Sequence, residues 1–118
     1  ICTIHPSAVV SGSASIGKGV MVGPNAIINA NAVIKDGVIC NSASVVEHDC
    51  QIGKFSHISP GAVLGGGAIV GDRTLIGAGA IGLLNLTIGN HVTVGAGTVV
   101  IRNVNDKTKV VGNPQKTI

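Results

Sequence analysis

No Trp or Tyr occurs in the 118 residues and Phe55 is the only Phe, so no large side chains are available to fill a broad core. The interior has to be narrow. Charged residues make up only 11% of the chain, and the net charge of +3 comes without interleaved aromatics, which argues against a nucleic-acid surface. No apolar run approaches the roughly 18 residues of a membrane span, and no signal peptide opens the chain, so the expectation is a cytoplasmic protein without membrane contact. Cysteines are few and odd in number. Cys2, Cys40 and Cys50 lack the CxxC spacing of a structural zinc site or redox pair and read as buried free thiols. Ile1 is not an initiator residue, so the chain reads as a domain of a longer protein.

What the chain has in quantity is Gly, at 18 residues, and small aliphatics within a hydrophobic fraction of 45%. That mixture suits a coil whose backbone turns often around a thin interior. An aliphatic residue recurs every six positions: Ile4, Val10, Ile16, Val22, Ile28 and Ile34, then Val46, Ile52, Ile58, Leu64, Val70 and Ile76, then Ile88, Val94 and Val100. Only Cys40 and Gly82 interrupt the series. Four residues after each stands a second, mostly small, residue such as Ala8, Ala26, Ser44, Cys50, Ala62, Thr74 or Thr98.

A period of six is neither helical nor a simple strand alternation, but as a multiple of two it fits short strands separated by corners. Three hexads close an 18-residue triangular coil, and coils stacked at about 4.8 Å pair each strand with its equivalent one coil on. The register predicts seventeen hexads from Ile4 to Asn105, an all-β parallel helix of just under six coils. Inward side chains then stack eighteen residues apart, with Cys40 between Val22 and Ile58 and Cys50 between Ala32 and Ala68. Gly82, between Leu64 and Val100, leaves that stack short of a side chain. Leu83 and Leu84 beside it fall on outward or corner positions, either as isolated exposed leucines or as part of a subunit contact.

This hexad pattern resembles the hexapeptide-repeat acyltransferases, and the resemblance covers nearly the whole chain. It implies a left-handed parallel β-helix; the handedness comes from the family, since parallel crossovers are ordinarily right-handed. Residues 106–118, with Gly112-Asn113-Pro114, leave the hexad register and resemble the family's closing segment. The domain is expected over 1–105, with 106–118 as its cap.

Four histidines bear on chemistry. His5 and His91 have no carboxylate next to them. His48 occupies a corner between Glu47 and Asp49, and an imidazole beside a carboxylate can be held in one tautomer with its basicity raised, as a general base requires. The stretch Asn41 to Cys50, followed by Ser56-His57-Ile58-Ser59-Pro60-Gly61, is similar to the active-site stretch of bacterial sugar acetyltransferases acting on UDP-4-amino-sugars or on sialic acid. That resemblance implies His48 as base, Asp49 as its orienting acid, His57 as a contact of the acetyl-coenzyme A thioester and Asn41 as a substrate contact. It also implies a preceding nucleotide-sugar-binding domain and a trimer.

A coil of eighteen puts Gly66, in the run Gly65-Gly66-Gly67, directly above His48, where a backbone N–H can stabilise an oxyanion or where glycines merely ease a corner. Ala78 and Ala96 continue the corner column of Pro60 and would let the pantetheine chain approach the backbone. Arg102 lies three coils above His48, and with Lys107, Lys109 and Lys116 it makes a basic end suited to phosphates. The separation of nine positions from His48 to His57 is half a turn of an equal-sided coil, so the two face opposite sides of one chain and can meet only across an interface of a homotrimer.

The leading expectation is therefore acetyl transfer from acetyl-CoA, without a metal, to an amine or hydroxyl of an activated sugar. Two alternatives stand beside it. A γ-class carbonic anhydrase shares the fold but takes zinc through histidines five residues apart, against nine here. A purely assembling β-helix has no need of an imidazole between acids at a corner.

Overall fold

The structure, a computed structural model, describes all of residues 1–118. Each hexad forms one two-residue strand, seventeen in all from Thr3–Ile4 to Val99–Val100, followed by Lys109–Val111 and Lys116–Thr117. The strands form three sheets, the faces of a triangular prism with principal extents 37 × 20 × 19 Å. Face one has eight strands and includes His57–Ile58; face two has six and includes Val45–Val46; face three has five and includes Gln51–Ile52. Pairing is parallel at the eighteen-residue offset, as in Thr3↔Met21, Val45↔Val63 and Gly82↔Val100. This is the left-handed parallel β-helix of hexapeptide repeats. It contains no helix long and apolar enough to cross a membrane.

The second residue of each strand points inward, and from Val20 onward these residues and their small partners form one continuous core. Each inward Ile or Val contributes on the order of 1.5–3 kcal/mol by burial between its neighbours one coil before and after. The first coil has a neighbour on one side only, so Ile4 is 44% exposed although it holds an inward position. Cys2 departs from the expected buried thiol for the same reason: it begins the inward column of Val20 and Val38 but is exposed. Cys40 and Cys50 are buried and free, and burial pushes the Cys40 thiol up to about 12, which keeps it protonated and inert.

Corners carry a left-handed residue at the third position after the inward aliphatic. Asn and Gly fill most of these places, as at Asn25, Asn31, Gly61 and Gly79, and Asp49 takes one of them with φ 62°.

The eighteen-residue register does not run to Asn105. After Val100 the chain drops two residues, so that Val104 rather than residue 106 pairs with Ile88, and Thr93↔Lys109 and Val94↔Val110 keep the new offset. Val104 is only 5% exposed; it fills an inward strand position rather than the small second position its place in the old frame assigns. Beyond it Lys116–Thr117 turns back antiparallel onto Lys109–Val111, which covers the last parallel edge of face one.

Candidate active site

His48 sits at the corner between faces two and three, and its side chain is 65% exposed. Its Nδ1 lies 3.0 Å from Asp49 Oδ2. A carboxylate only accepts, so Nδ1 carries the proton and Nε2 presents the lone pair. The short Asp side chain therefore reaches the ring of its neighbour, from a backbone in the left-handed region.

The ring leans over Gly66, one coil on. A Cβ at Gly66 would come within 2.6 Å of His48 Nε2 and 2.7 Å of Cε1, so the imidazole occupies space that only glycine leaves open. Hydrogen bonds orient the peptide between Gly65 and Gly66. The buried Cys50 thiol donates to Gly65 O at 3.1 Å, and Ala68 N–H donates to the same oxygen. Burial raises the Cys50 pKa and so keeps it a donor. In a trans peptide the N–H opposes the C=O, so with Gly65 O turned toward the core, Gly66 N–H faces out. It has no acceptor within the chain.

The corner N–H groups of Ala78 and Ala96 are likewise without an acceptor, whereas a third corner column is largely capped by side chains. At the corner between faces three and one the equivalent N–H groups of Lys18, Lys54, Asp72 and Asn90 are taken by Asp36, Asp72, Asn90 and Asp106. In the His48 column the N–H groups of Ala30, Gly66 and Leu84 have no such partner, and a side chain caps only Arg102, through Gln115.

A second cluster lies elsewhere. His57 is on face one, partly buried, and its Nε2 is 3.1 Å from Asn41 Nδ2. Asn41 and Ser42 open the corner between faces one and two, the same corner that carries Pro60, Ala78 and Ala96 one coil apart. Below them an open cleft of about 450 Å³ is lined by Ile4, Pro6, Met21, Pro24, Ile39 and Asn41, among others.

The structure thus divides the residues anticipated from the sequence into two groups. His48, Asp49, Gly66 and Arg102 share one corner; His57, Asn41, Ala78 and Ala96 gather on face one and the corner beyond it. One chain does not bring His48 and His57 together. Arg102 is exposed, and its guanidinium donates to Gln115 O at 3.4 Å, while Gln115 Oε1 accepts from Ile101 N–H and Arg102 N–H. The closing segment therefore holds the Arg102 backbone in place. The His5 ring bonds only to Ser7, and the chain gathers no group of three His, Cys, Asp or Glu fit to hold a metal ion.

Sequence reasoning passed over one partner. Asn29 Nδ2 donates to Glu47 Oε1 at 2.7 Å and fixes the residue just before His48. The signal was available, since residues 29 and 47 are eighteen apart.

A family model described as bacterial transferase hexapeptide (six repeats) matches residues 49–81. Among solved structures, the acetyltransferase domain of PglB from Neisseria gonorrhoeae FA1090 is 46% identical at a TM-score of 0.99; the match covers 100% of this chain and 58% of that one. The same domain has been solved in complex with acetyl coenzyme A. PerB from Caulobacter crescentus, in complex with CoA and GDP-perosamine, is 43% identical at a TM-score of 0.99, over 100% of this chain and 57% of its own. WeeI from Acinetobacter baumannii AYE is 32% identical at a TM-score of 0.94, over 98% and 57%. The chain spans somewhat more than half the length of these relatives. Seventeen repeat strands, the family match within them and likeness over the full chain identify it as a hexapeptide-repeat β-helix domain, similar to the acetyltransferase domain of PglB and to PerB.

Proposed function

We propose that this domain transfers the acetyl group of acetyl-CoA to the amino group of a nucleotide-linked sugar. One observation carries the proposal: the lone pair of His48 Nε2 is exposed beside the outward, unpartnered N–H of Gly66. A base and an oxyanion donor side by side are what direct attack of an amine on a thioester needs.

In this reading the amine nitrogen attacks the thioester carbonyl carbon and forms the new C–N bond. His48 Nε2 takes the proton that the nitrogen sheds, Asp49 holds the resulting imidazolium in orientation, and Gly66 N–H donates to the oxyanion. Collapse breaks the C–S bond, and the CoA sulfur leaves with the proton from His48. No acyl-enzyme is required. His57 contacts the thioester, Asn41 serves the substrate side, and the small corner residues Ala78 and Ala96 leave room for the pantetheine chain. Arg102 lies toward the CoA phosphates.

Since one chain separates His48 from His57, the complete site forms between subunits of a homotrimer. The outward apolar residues Ile69, Leu75, Ile81, Leu83 and Leu84, each 39–65% exposed, supply area for such a contact. PerB's binding of GDP-perosamine supports a nucleotide-linked amino-sugar as acceptor, with a further domain of the full-length protein choosing which one.

The test is a thiol-release assay with acetyl-CoA and the full-length protein, run in parallel against nucleotide-linked 4-amino-sugars and against sialic acid. Release of CoA thiol with an amino-sugar, matched by an acetylated amine in the product, is expected. Release with sialic acid alone would replace N- by O-acetylation, and release with neither would end the reading.

A further inference from the structure

We infer that Asn41 is a positioning residue that fixes the tautomer of His57, so that this imidazole presents an Nδ1–H donor to whatever lies on face one. The inference deepens the acetyl-transfer reading and rests on it only for the identity of the group that His57 meets.

The argument begins at Ser42. Its backbone N–H can only donate, and it lies 2.7 Å from Asn41 Oδ1. The atom of the amide that faces it must therefore be the oxygen, and the amide cannot flip without setting two donors against each other. Nδ2 then faces His57 Nε2 at 3.1 Å. An amide NH2 only donates, so Nε2 must supply the lone pair, and in the neutral ring the proton sits on Nδ1.

The backbone holds the pair in register: Asn41 N–H donates to Ile58 O at 2.8 Å, and His57 pairs with Ile39 across adjacent strands of face one. His57 Nδ1 has no partner within the chain, which leaves its N–H free for an acceptor.

The two histidines are thus set in opposite senses. At His48 the carboxylate of Asp49 takes Nδ1–H and leaves a lone pair outward. At His57 the amide of Asn41 takes the lone pair and leaves an N–H outward. His48 can accept a proton, whereas His57 can donate a hydrogen bond to a carbonyl oxygen such as that of the thioester. Through the ring, Asn41 sets which nitrogen of His57 faces outward.

Long-range proton–nitrogen NMR of the histidine rings in the ligand-free full-length protein tests this, at a pH where His57 is neutral. His57 is expected to show a protonated Nδ1 and a bare Nε2. Asn41→Asp keeps an oxygen for Ser42 N–H and sets a second acceptor opposite Nε2, so it is expected to invert the tautomer. Asn41→Ala, which needs no new contact to fold, is expected to leave the ring averaging between both forms.

A wild-type His57 protonated at Nε2, or the same tautomer in all three proteins, would overturn the inference. The acetyl-transfer reading is judged separately. Asn41→Asp should lower kcat/KM for acetyl-CoA about a hundredfold, the scale of losing one oriented oxyanion donor. An inverted tautomer with unchanged kcat/KM would leave the inference standing and remove His57 from the proposed chemistry.

Discussion

Replacing His48 by Ala is expected to leave the β-helix folded and to lower acetyl-transfer turnover at least about a hundredfold, the usual scale for losing a general base. The fold should survive because the side chain is 65% exposed and no core residue rests on it. Its one hydrogen bond is to Asp49, whose own carboxylate is also largely in solvent, so truncation strands no buried polar group. Circular dichroism and subunit mass report the fold, and steady-state thiol release reports turnover. Wild-type turnover in a folded variant would remove His48 from the mechanism.

Gly66→Ala should be nearly as damaging, for a different reason. The added methyl would lie 2.6 Å from Nε2, the atom that takes the proton, and contacts under about 3 Å force something to move. The ring is the movable partner, since it is a surface side chain and residue 66 is backbone held by the coils on either side. Gly66 is not in the left-handed region, so Ala fits the backbone without strain there. The variant should therefore keep its thermal midpoint within a few degrees while turnover falls about a hundredfold, as the imidazole is pushed from its place beside the N–H. A thermal midpoint that collapses together with activity would instead make Gly66 a structural glycine.

Much of this was legible because a six-residue period is a coordinate system. Once Ile4 and its successors fix the inward column, the corner position of His48, the place of Gly66 above it and the strand position of His57 follow by counting. The shortened last coil did not follow. In the run Val99-Val100-Ile101-Arg102-Asn103-Val104, Val104 satisfies either frame, as a small second residue or as the next inward strand residue. Only its pairing with Ile88 decides.

The Asn41–His57 contact was hidden for a related reason. The two are sixteen residues apart and stand in different columns, so stacking by eighteen does not join them. The link depends on a side chain reaching back from a corner, and on Ser42 N–H fixing which end of the amide faces the ring. The peptide orientation at Gly65–Gly66 likewise depends on where a buried thiol finds an acceptor, which spacing does not encode.

The central claim is that the half-site at His48 and the half-site at His57 are completed by different subunits. Subunit mixing tests it most directly. Full-length His48→Ala and His57→Ala variants, each poorly active, are unfolded together in equal amounts and refolded. In a closed ring of three, every mixed trimer holds one interface with both native histidines, so random assembly should restore about a quarter of wild-type activity. Subunit exchange proven by mass, with activity no higher than either parent, would contradict the account, because the two histidines would then act within one chain or not together at all.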